Sequence, residues 1–381
     1  MEIPLQFNTG VLEWKDKNEE MNRRFPIQTM NVSKGFIALT FLLIPLFVFS
    51  QEQTRTMDLE DLAKRKAHHR ENPGGFLNPW LSDGEPGGLL RFLKWKFSTN
   101  PYAEEKKIRP RFPVIPTRVQ EVESGGDSIT YLGHATLWIR LLNQNVLTDP
   151  VFPDSIAFFI KRHAPFPIPL EGLPEFQVVL ISHSHYDHLN KASIVRLGNK
   201  PLYLTPLGYK DWFQDVVPGA RVVELDWFGT YTYQGITYRL LPAQHWTKRT
   251  LFDTNKRLWG SWLIEGGDRK VYFGADSGYF QGFREFGRKY GPMDAALLPV
   301  GLYEPRWFMK THHMNPEEAV RAAGELRAGA IIPQQWGVFD LTDEPLTLPP
   351  QDYRAAARAA GLTEKEAPLI QHGGTWYFPG R

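Results

Sequence analysis

The chain of 381 residues is 42% hydrophobic and 23% charged, enough apolar content to bury a large core in one big domain or two. Its net charge is only +2 and no long Lys/Arg cluster occurs, which argues against a nucleic-acid partner. Cysteine is absent, so disulfides and thiolate ligands are excluded, and any metal must be held by nitrogen and oxygen.

In chain order, residues 1–50 read as a leader. From Gly35 to Ser50 the sequence is almost wholly apolar, preceded by Lys34 and, further back, Arg23 and Arg24. Val48 and Ser50 suit the small-residue positions of a signal-peptidase site, and polar Gln51-Glu52-Gln53 follows. A run of about 16 residues with a proline inside is short against the ~20 needed to span a bilayer. The expectation is a cleaved secretory signal, with an uncleaved anchor and a buried core helix as alternatives. The protein is accordingly expected to be exported, to periplasm or exterior, or to be membrane-associated. Translation from Met21 or Met30 would leave a conventional basic leader.

Residues 51–126 form an expected extension that wraps a catalytic domain. Met57 to Arg70 alternates acidic and basic residues around Leu59, Leu62 and Ala63, the spacing of a short amphipathic helix. Leu89 to Phe97 is basic, aromatic and apolar at once. Such a segment suits a membrane interface, or an extension packed on the domain with its cations snorkelling to solvent.

Residues 127–381 carry strand signals broken by turns, in keeping with 32 Gly and 30 Pro. Strands are expected at 129–132, 135–139, 144–147, 178–181, 202–204, 221–225, 237–241, 262–264, 271–273 and 295–298. Helices are expected at Lys191 to Leu197, Glu317 to Ala328 and Asp352 to Ala360, the last ended by Gly361. The periodicity alone gives α/β or α+β. The 12 Trp and 25 Phe exceed what a minimal core needs, and some of that area would face an apolar substrate.

The most telling stretch is Ile181-Ser182-His183-Ser184-His185-Tyr186-Asp187-His188-Leu189. It places three imidazoles and a carboxylate within six positions, directly behind the apolar run Val178-Val179-Leu180. A strand that opens into such a loop sets imidazole and carboxylate, ligands suited to zinc and its neighbours, at a sheet edge. The HxHxDH pattern resembles the signature of the metallo-β-lactamase superfamily. Tyr131-Leu132-Gly133-His134-Ala135-Thr136, Leu147-Thr148-Asp149-Pro150, Gln244-His245-Trp246, Leu258-Trp259-Gly260-Ser261-Trp262 and Gly274-Ala275-Asp276-Ser277-Gly278-Tyr279 narrow the match. So does Tyr303-Glu304-Pro305-Arg306-Trp307-Phe308-Met309-Lys310. From about Asn78 onward the chain is similar to the N-acyl-phosphatidylethanolamine-hydrolysing phospholipase D family. The resemblance implies an αββα sandwich, two packed mixed sheets flanked by helices.

It also implies a two-ion centre, with a nucleophile held between metals about 3.5–4 Å apart. His183 and His185, two apart in an extended loop, can aim at one ion, with His245 as third imidazole. Asp187 and His188 can point to a second ion, and Asp276 has oxygens to bridge the two. Asp187 and Asp276 are therefore the catalytic candidates. His134 and Asp149 are expected behind the ligands, orienting them, with turn capping an equal reading for Asp149. His313 is placed on the substrate side, or as a substitute ligand. His312 is expected to be an exposed neighbour. His372 either closes the pocket or serves structure. Arg306, Lys248 and Arg249 are candidate substrate-binding cations whose bland reading is surface salt bridging. One position departs from the family: Gln335 stands before Trp336-Gly337, where the family has its last histidine ligand. Gln335 ligates through oxygen, water replaces it, or the centre works with one metal.

The functional expectation is a hydrolase that needs one or two Zn2+ ions. It would cleave a phosphodiester, of the phospholipase D type on N-acyl-phosphatidylethanolamine-like lipids, by a metal-bound hydroxide. Another ester hydrolase, for a lactone or a cyclic phosphodiester, and a metal-binding protein with impaired catalysis are the alternatives. A phospholipid substrate, a membrane surface and a homodimer are the partners compatible with this reading.

Overall fold

In the computed structural model the described residues are 58–61, 75–81, 88–157 and 159–380. The leader, its apolar run and most of the charged stretch from Met57 to Arg70 lie outside them. The helices α1 (Leu89–Phe97) and α2 (Val119–Ser124) precede the first sheet. A meander follows, made of β1 (Ser128–Gly133), β2 (Thr136–Leu141) and β3 (Gln144–Thr148). A short ribbon, β4 (Ser155–Ile156) with β5 (Ile160–Lys161), precedes three parallel strands. These are β6 (Val178–Leu180), β7 (Leu202–Pro206) and β8 (Arg221–Leu225), linked through α3 (Lys191–Leu197) and α4 (Lys210–Val216).

The second sheet repeats the plan of meander, then parallel pairing. It holds β9 (Thr230–Tyr233), β10 (Ile236–Leu241), β11 (Ser261–Gly266) and β12 (Arg269–Phe273), then β13 (Ala295–Pro299) and β14 (Ile331–Gln334) in parallel. Between and after its strands lie α5 (Gly282–Lys289), α6 (Arg306–Met309), α7 (Pro316–Leu326) and α8 (Leu348–Ala359). β15 (Thr375–Tyr377) returns to pair with β1 and completes a seven-stranded sheet against one of six. The protein is an αββα sandwich of two mixed sheets.

Burial explains the pattern. Every residue of β1, β2, β3, β6, β7 and β13 is buried, because each strand is covered on one face by the other sheet and on the other by helices. β6 and β13 accordingly read as continuous apolar runs rather than alternations. Ile129, Tyr131, Leu240, Trp262, Phe273 and Leu297 belong to one cluster between the sheets. Trp138, Leu147, Tyr203 and Phe213 form another beneath α3 and α4.

Helix ends follow local chemistry. Asn190 caps α3 through Ser193 N at 3.0 Å. Asn315 and Glu318 form a capping box on α7, with Pro316 in its first turn, and the helix stops where Arg327 turns left-handed at φ 56°. α8 begins earlier than Asp352 because Pro349 and Pro350 sit in its first turn, where a missing N–H costs nothing. α5 contains Gly282 and Gly287, poor helix formers that hide it in the sequence. A Cβ on Gly287 would lie 1.9 Å from Glu325 O, so glycine there lets α5 and α7 approach closely.

Residues 58–61 are held by a carboxyl pair. Leu59, fully buried, donates its backbone N–H to Glu285 Oε1 and Oε2 at 3.0 and 3.2 Å. Burial, and then the hydrogen bond to Asp58, push Glu285 up to about 7, while that same hydrogen bond holds Asp58 below its ordinary value. A raised folded-state value means stability that is complete below the ordinary carboxyl range and lost as pH climbs through about 7. Glu285→Gln keeps the neutral hydrogen-bonding pattern and removes that loss. The Tm of the variant is expected to match wild type near pH 4, to exceed it increasingly between about pH 5 and pH 7, and to gain little more above that. Parallel melting curves across that range check it.

Candidate metal centre

Six strand ends meet at one edge of the sandwich. His134 lies in the β1–β2 turn, Asp149 follows β3, and the loop 181–189 follows β6. His245 comes after β10, Asp276 after β12 and Gln335 directly after β14. His134, Asp149, Ala275 and Gln335 all have left-handed backbones, with φ of 57°, 33°, 49° and 62°. Non-glycine residues adopt this region at a cost, and four of them at one edge mark a constrained site.

The donor atoms fall into two groups joined by Asp276. In the first, His185 Nδ1 lies 2.9 Å from His183 Nε2 and 3.2 Å from His245 Nε2. Asp276 Oδ2 is 3.8 Å from His183 Nε2 and 3.6 Å from His245 Nε2. In the second, His188 Nε2 lies 3.2 Å from Asp276 Oδ1 and 3.7 Å from Asp187 Oδ2. The Gln335 amide is 3.2 Å from His188 Nε2 and also contacts Asp276 Oδ1.

The atoms behind these donors determine the tautomers. Asp149 accepts from Ser182 N at 2.8 Å, from Ser182 Oγ at 2.5 Å and from His188 Nδ1 at 2.7 Å. The Ser182 hydroxyl proton is thus given to Asp149, and its oxygen accepts from His183 Nδ1 at 2.9 Å. His245 Nδ1 donates to the carbonyl of His312 at 3.0 Å. For His183 and His245 the outer nitrogen carries the hydrogen, so Nε2 presents a lone pair to the cluster. Three imidazole nitrogens and an Asp276 oxygen converge at 2.9–3.8 Å, and nitrogen with carboxylate oxygen suits a zinc-type ion. The residues fit a metal.

The electrostatics agree. Burial drives His183 and His245 well below the ordinary imidazole value and brings His185 to about 4, so all three are neutral donors. Burial also opposes charge on His188, but Asp276, Asp187 and Asp149 outweigh it and lift this imidazole well above its usual value. In return, His188 holds Asp276 below the carboxylate range against the effect of burial, and together with His134 does the same for Asp187.

Other expected residues are placed as follows. His134 Nε2 bonds Asp187 Oδ2 at 3.0 Å, and these two with His188 form a further group of donors close enough to share an ion. Asp149 caps no turn; it anchors His188 and Ser182. His313 Nδ1 is 3.9 Å from Asp276 Oδ2, buried, with no hydrogen-bond partner. His312 is buried rather than exposed, packed beside His245 and Trp246. Arg306 is drawn away by Glu318 at 2.7 Å and the His313 carbonyl at 3.0 Å. Among the described residues Arg249 forms no surface salt bridge. Its guanidinium donates to the carbonyls of Ser184 and Leu189 at 2.8 and 2.7 Å and lies over Tyr186, holding the histidine loop in shape. Lys248 is half-buried and forms no ion pair among the described residues. His372 stands outside the cluster, donating to the Trp336 carbonyl at 3.1 Å and packing on that ring.

Two braces escaped the sequence reading. Ser182 was legible only as a small residue before His183. Gln244, next to His245, joins Trp80 Nε1, Thr311 O and Ser277 Oγ, while Asn78 donates to the His245 carbonyl at 2.9 Å.

The sequence profile of the Beta-lactamase superfamily domain matches residues 144–336. N-acyl-phosphatidylethanolamine-hydrolyzing phospholipase D 1 of Caenorhabditis elegans is 37% identical over 302 residues, covering 74% of this chain and 84% of the worm protein. The mitochondrial N-acyl-phosphatidylethanolamine-hydrolyzing phospholipase D of Saccharomyces cerevisiae is 32% identical over 266 residues, covering 66% of this chain and 56% of the yeast protein. The chain belongs to the N-acyl-phosphatidylethanolamine-hydrolysing phospholipase D family of the metallo-β-lactamase superfamily. The fold is shared more widely. An isothiocyanate hydrolase from Delia radicum gut bacteria superposes with TM-score 0.54 at 16% identity, over 67% of this chain and 100% of that one. Igni18, a metallo hydrolase of Ignicoccus hospitalis, does so with 0.52 at 20%, over 67% and 99%.

As a metallohydrolase of this superfamily, the protein depends on the atoms that aim its ligands. Asp149→Asn puts an amide N–H against donors that need an acceptor. The expected result is a loss of metal affinity of roughly 10–100-fold with the fold intact. Chelator competition, with circular dichroism as control, measures it; unchanged affinity would detach Asp149 and His188 from the centre.

Proposed function

We propose that this family member is a phospholipase D-type hydrolase of N-acylated ethanolamine phospholipids, working with zinc at the first donor group. The observation that carries the reading is Asp276 set between two groups of donors, backed by relatives that carry this activity in their names. A bound divalent ion would supply Lewis acidity toward phosphoryl oxygen and make water a nucleophile near neutral pH. The remaining work belongs to the chain. Asp276 and Asp187 supply negative charge to hold cations, and Asp149, Ser182 and the His312 carbonyl keep imidazole lone pairs aimed inward. His313, with a free buried nitrogen on the same side, is suited to meet a phosphate oxygen. Water adds to phosphorus, the bond to the ethanolamine oxygen breaks, and that oxygen takes up a proton. Phosphatidic acid and the N-acylethanolamine are released.

A bilayer-borne substrate needs a way to the bilayer. Trp95 of α1 is buried, stacked on Phe308 at 5.0 Å and bonded to Asp343, so one face of the helix is packed. The other exposes Leu90 at 83% and Phe97 at 86%, among Arg91, Lys94 and Lys96. α6 lies against α1 and leads directly to His312 and His313. After His245, the loop tip at Leu251 and Phe252 is exposed at 79% and 89%. Apolar tips with a basic fringe favour docking on anionic lipid. Among the described residues no helix is long and apolar enough to cross a membrane.

Vesicles carrying N-acyl-phosphatidylethanolamine are expected to yield phosphatidic acid and N-acylethanolamine, with activity lost to chelator and restored by zinc. Diacylglycerol with a phosphorylated headgroup, or no turnover, would refute the reading. Leu90→Asp with Phe97→Asp is expected to lower vesicle turnover about tenfold or more while a soluble phosphodiester is cleaved as before. Equal loss on both substrates would remove α1 from the docking face.

A further inference from the structure

The third imidazole stands beside a hub. Gln244, the residue before His245, is buried; its backbone N–H donates to Ser277 Oγ at 3.0 Å and its carbonyl accepts from Gly278 N at 2.9 Å. Ser277 and Gly278 directly follow Asp276, so the segments that bring His245 and Asp276 to the centre are joined here. The Gln244 side chain reaches a third segment. Its Nε2 donates to the Thr311 carbonyl at 2.9 Å, one residue before the His312 carbonyl that accepts from His245 Nδ1. Gly278 leaves room for this bond: a Cβ there would lie 2.2 Å from Thr311 O and 2.9 Å from Gln244 Nε2.

Trp80, far back in the extension, completes the hub. Nitrogen and oxygen of a carboxamide have the same shape, and the neighbours decide which faces where. The Trp80 indole can only donate and the Thr311 carbonyl can only accept. One orientation satisfies both, with Gln244 Oε1 taking the indole N–H at 3.0 Å and Nε2 left for Thr311. Either partner alone would leave one end of a buried amide unmatched, which is costly. Trp80 is itself held in place. Its ring stacks on Phe280 at 4.9 Å and meets Trp227 at 5.6 Å, and two residues earlier Asn78 donates to the His245 carbonyl at 2.9 Å.

We propose that Trp80 and Gln244 are a positioning pair for the metal centre. Through Gln244 the indole N–H fixes both ends of the bond between His245 Nδ1 and the His312 carbonyl, and so the aim of the third imidazole. The extension before β1 is thereby a working part of the centre, although neither side chain is a ligand. The proposal rests on the cluster being a metal centre and is independent of the lipid substrate.

The experiment uses the full chain and measures zinc affinity by chelator competition for wild type, Trp80→Phe, Gln244→Met and the double variant, with circular dichroism as the check of folding. Each stripped protein is also loaded with Co2+, whose visible spectrum reports ligand geometry. Trp80→Phe keeps an aromatic ring and loses the N–H. It is expected to weaken zinc roughly five- to tenfold, the scale of one buried hydrogen bond, and to shift the cobalt spectrum. Gln244→Met is expected to weaken zinc at least as much. Adding Trp80→Phe to Gln244→Met is expected to cost no further affinity, because the indole acts through that amide. A ring that served packing alone would cost the same in both backgrounds. The proposal is overturned if Trp80→Phe binds zinc as wild type does, or if its loss is equal in the two backgrounds. Should Gln244→Met fail to fold, the cobalt spectrum of Trp80→Phe decides: a shift supports the pair and an unchanged spectrum overturns it. Wild type that binds no zinc overturns the pair and the metal centre together.

Discussion

Three buried, neutral imidazoles and the Asp276 carboxylate converge on one point, where a cation relieves their mutual repulsion. That repulsion is the constraint on which the rest of this structure depends. His183, His185 and His245 are neutral because burial makes them so, and their outer nitrogens are committed to Ser182 and to the His312 carbonyl where partners exist. Asp149 completes the arrangement by taking the hydrogens of Ser182 and His188. The sandwich presents these groups, and its carboxyl-end loops hold them against their own repulsion.

Rigidity at that edge is supplied from several directions. Residues 75–81 contribute Asn78 and Trp80 to the His245–Gln244 turn, and Phe76 N bonds Asn255 O at 2.8 Å. Arg249 ties together the two ends of the histidine loop from outside. The left-handed residues around the site are tolerated because strands and hydrogen bonds on both sides over-determine them, as with Gln335 N on His134 O. Stiff walls around the donors and apolar, basic rims outside them suit the lipid substrate proposed above.

The metal centre was readable from sequence because each candidate ligand follows a strand signal and the densest group is contiguous. His183, His185, Asp187 and His188 announce themselves, and His245 and Asp276 follow apolar runs that became β10 and β12. The roles of Arg249 and His312 were not readable. Nothing local tells an arginine on a loop that it will meet the carbonyls of Ser184 and Leu189, some sixty positions earlier in the chain. α5 escaped because its glycines serve contact with α7 rather than helix propensity, and α6 is a single turn set by tertiary packing. Leu89–Phe97 was legible as amphiphilic, yet which of its faces would be buried awaited Trp95 on Phe308.

The account stands or falls on whether cations hold the cluster together. The direct measurement is the melting temperature of the full chain, first stripped by chelator and then titrated with zinc, alongside the metal content of the protein as purified. Binding to the folded state alone must raise stability by mass action, about 2.7 kcal/mol at a hundredfold excess over Kd. The account predicts at least one stoichiometric ion and a Tm that rises saturably with zinc. A chain that carries no stoichiometric metal, and melts at the same temperature with zinc or with chelator, would contradict it.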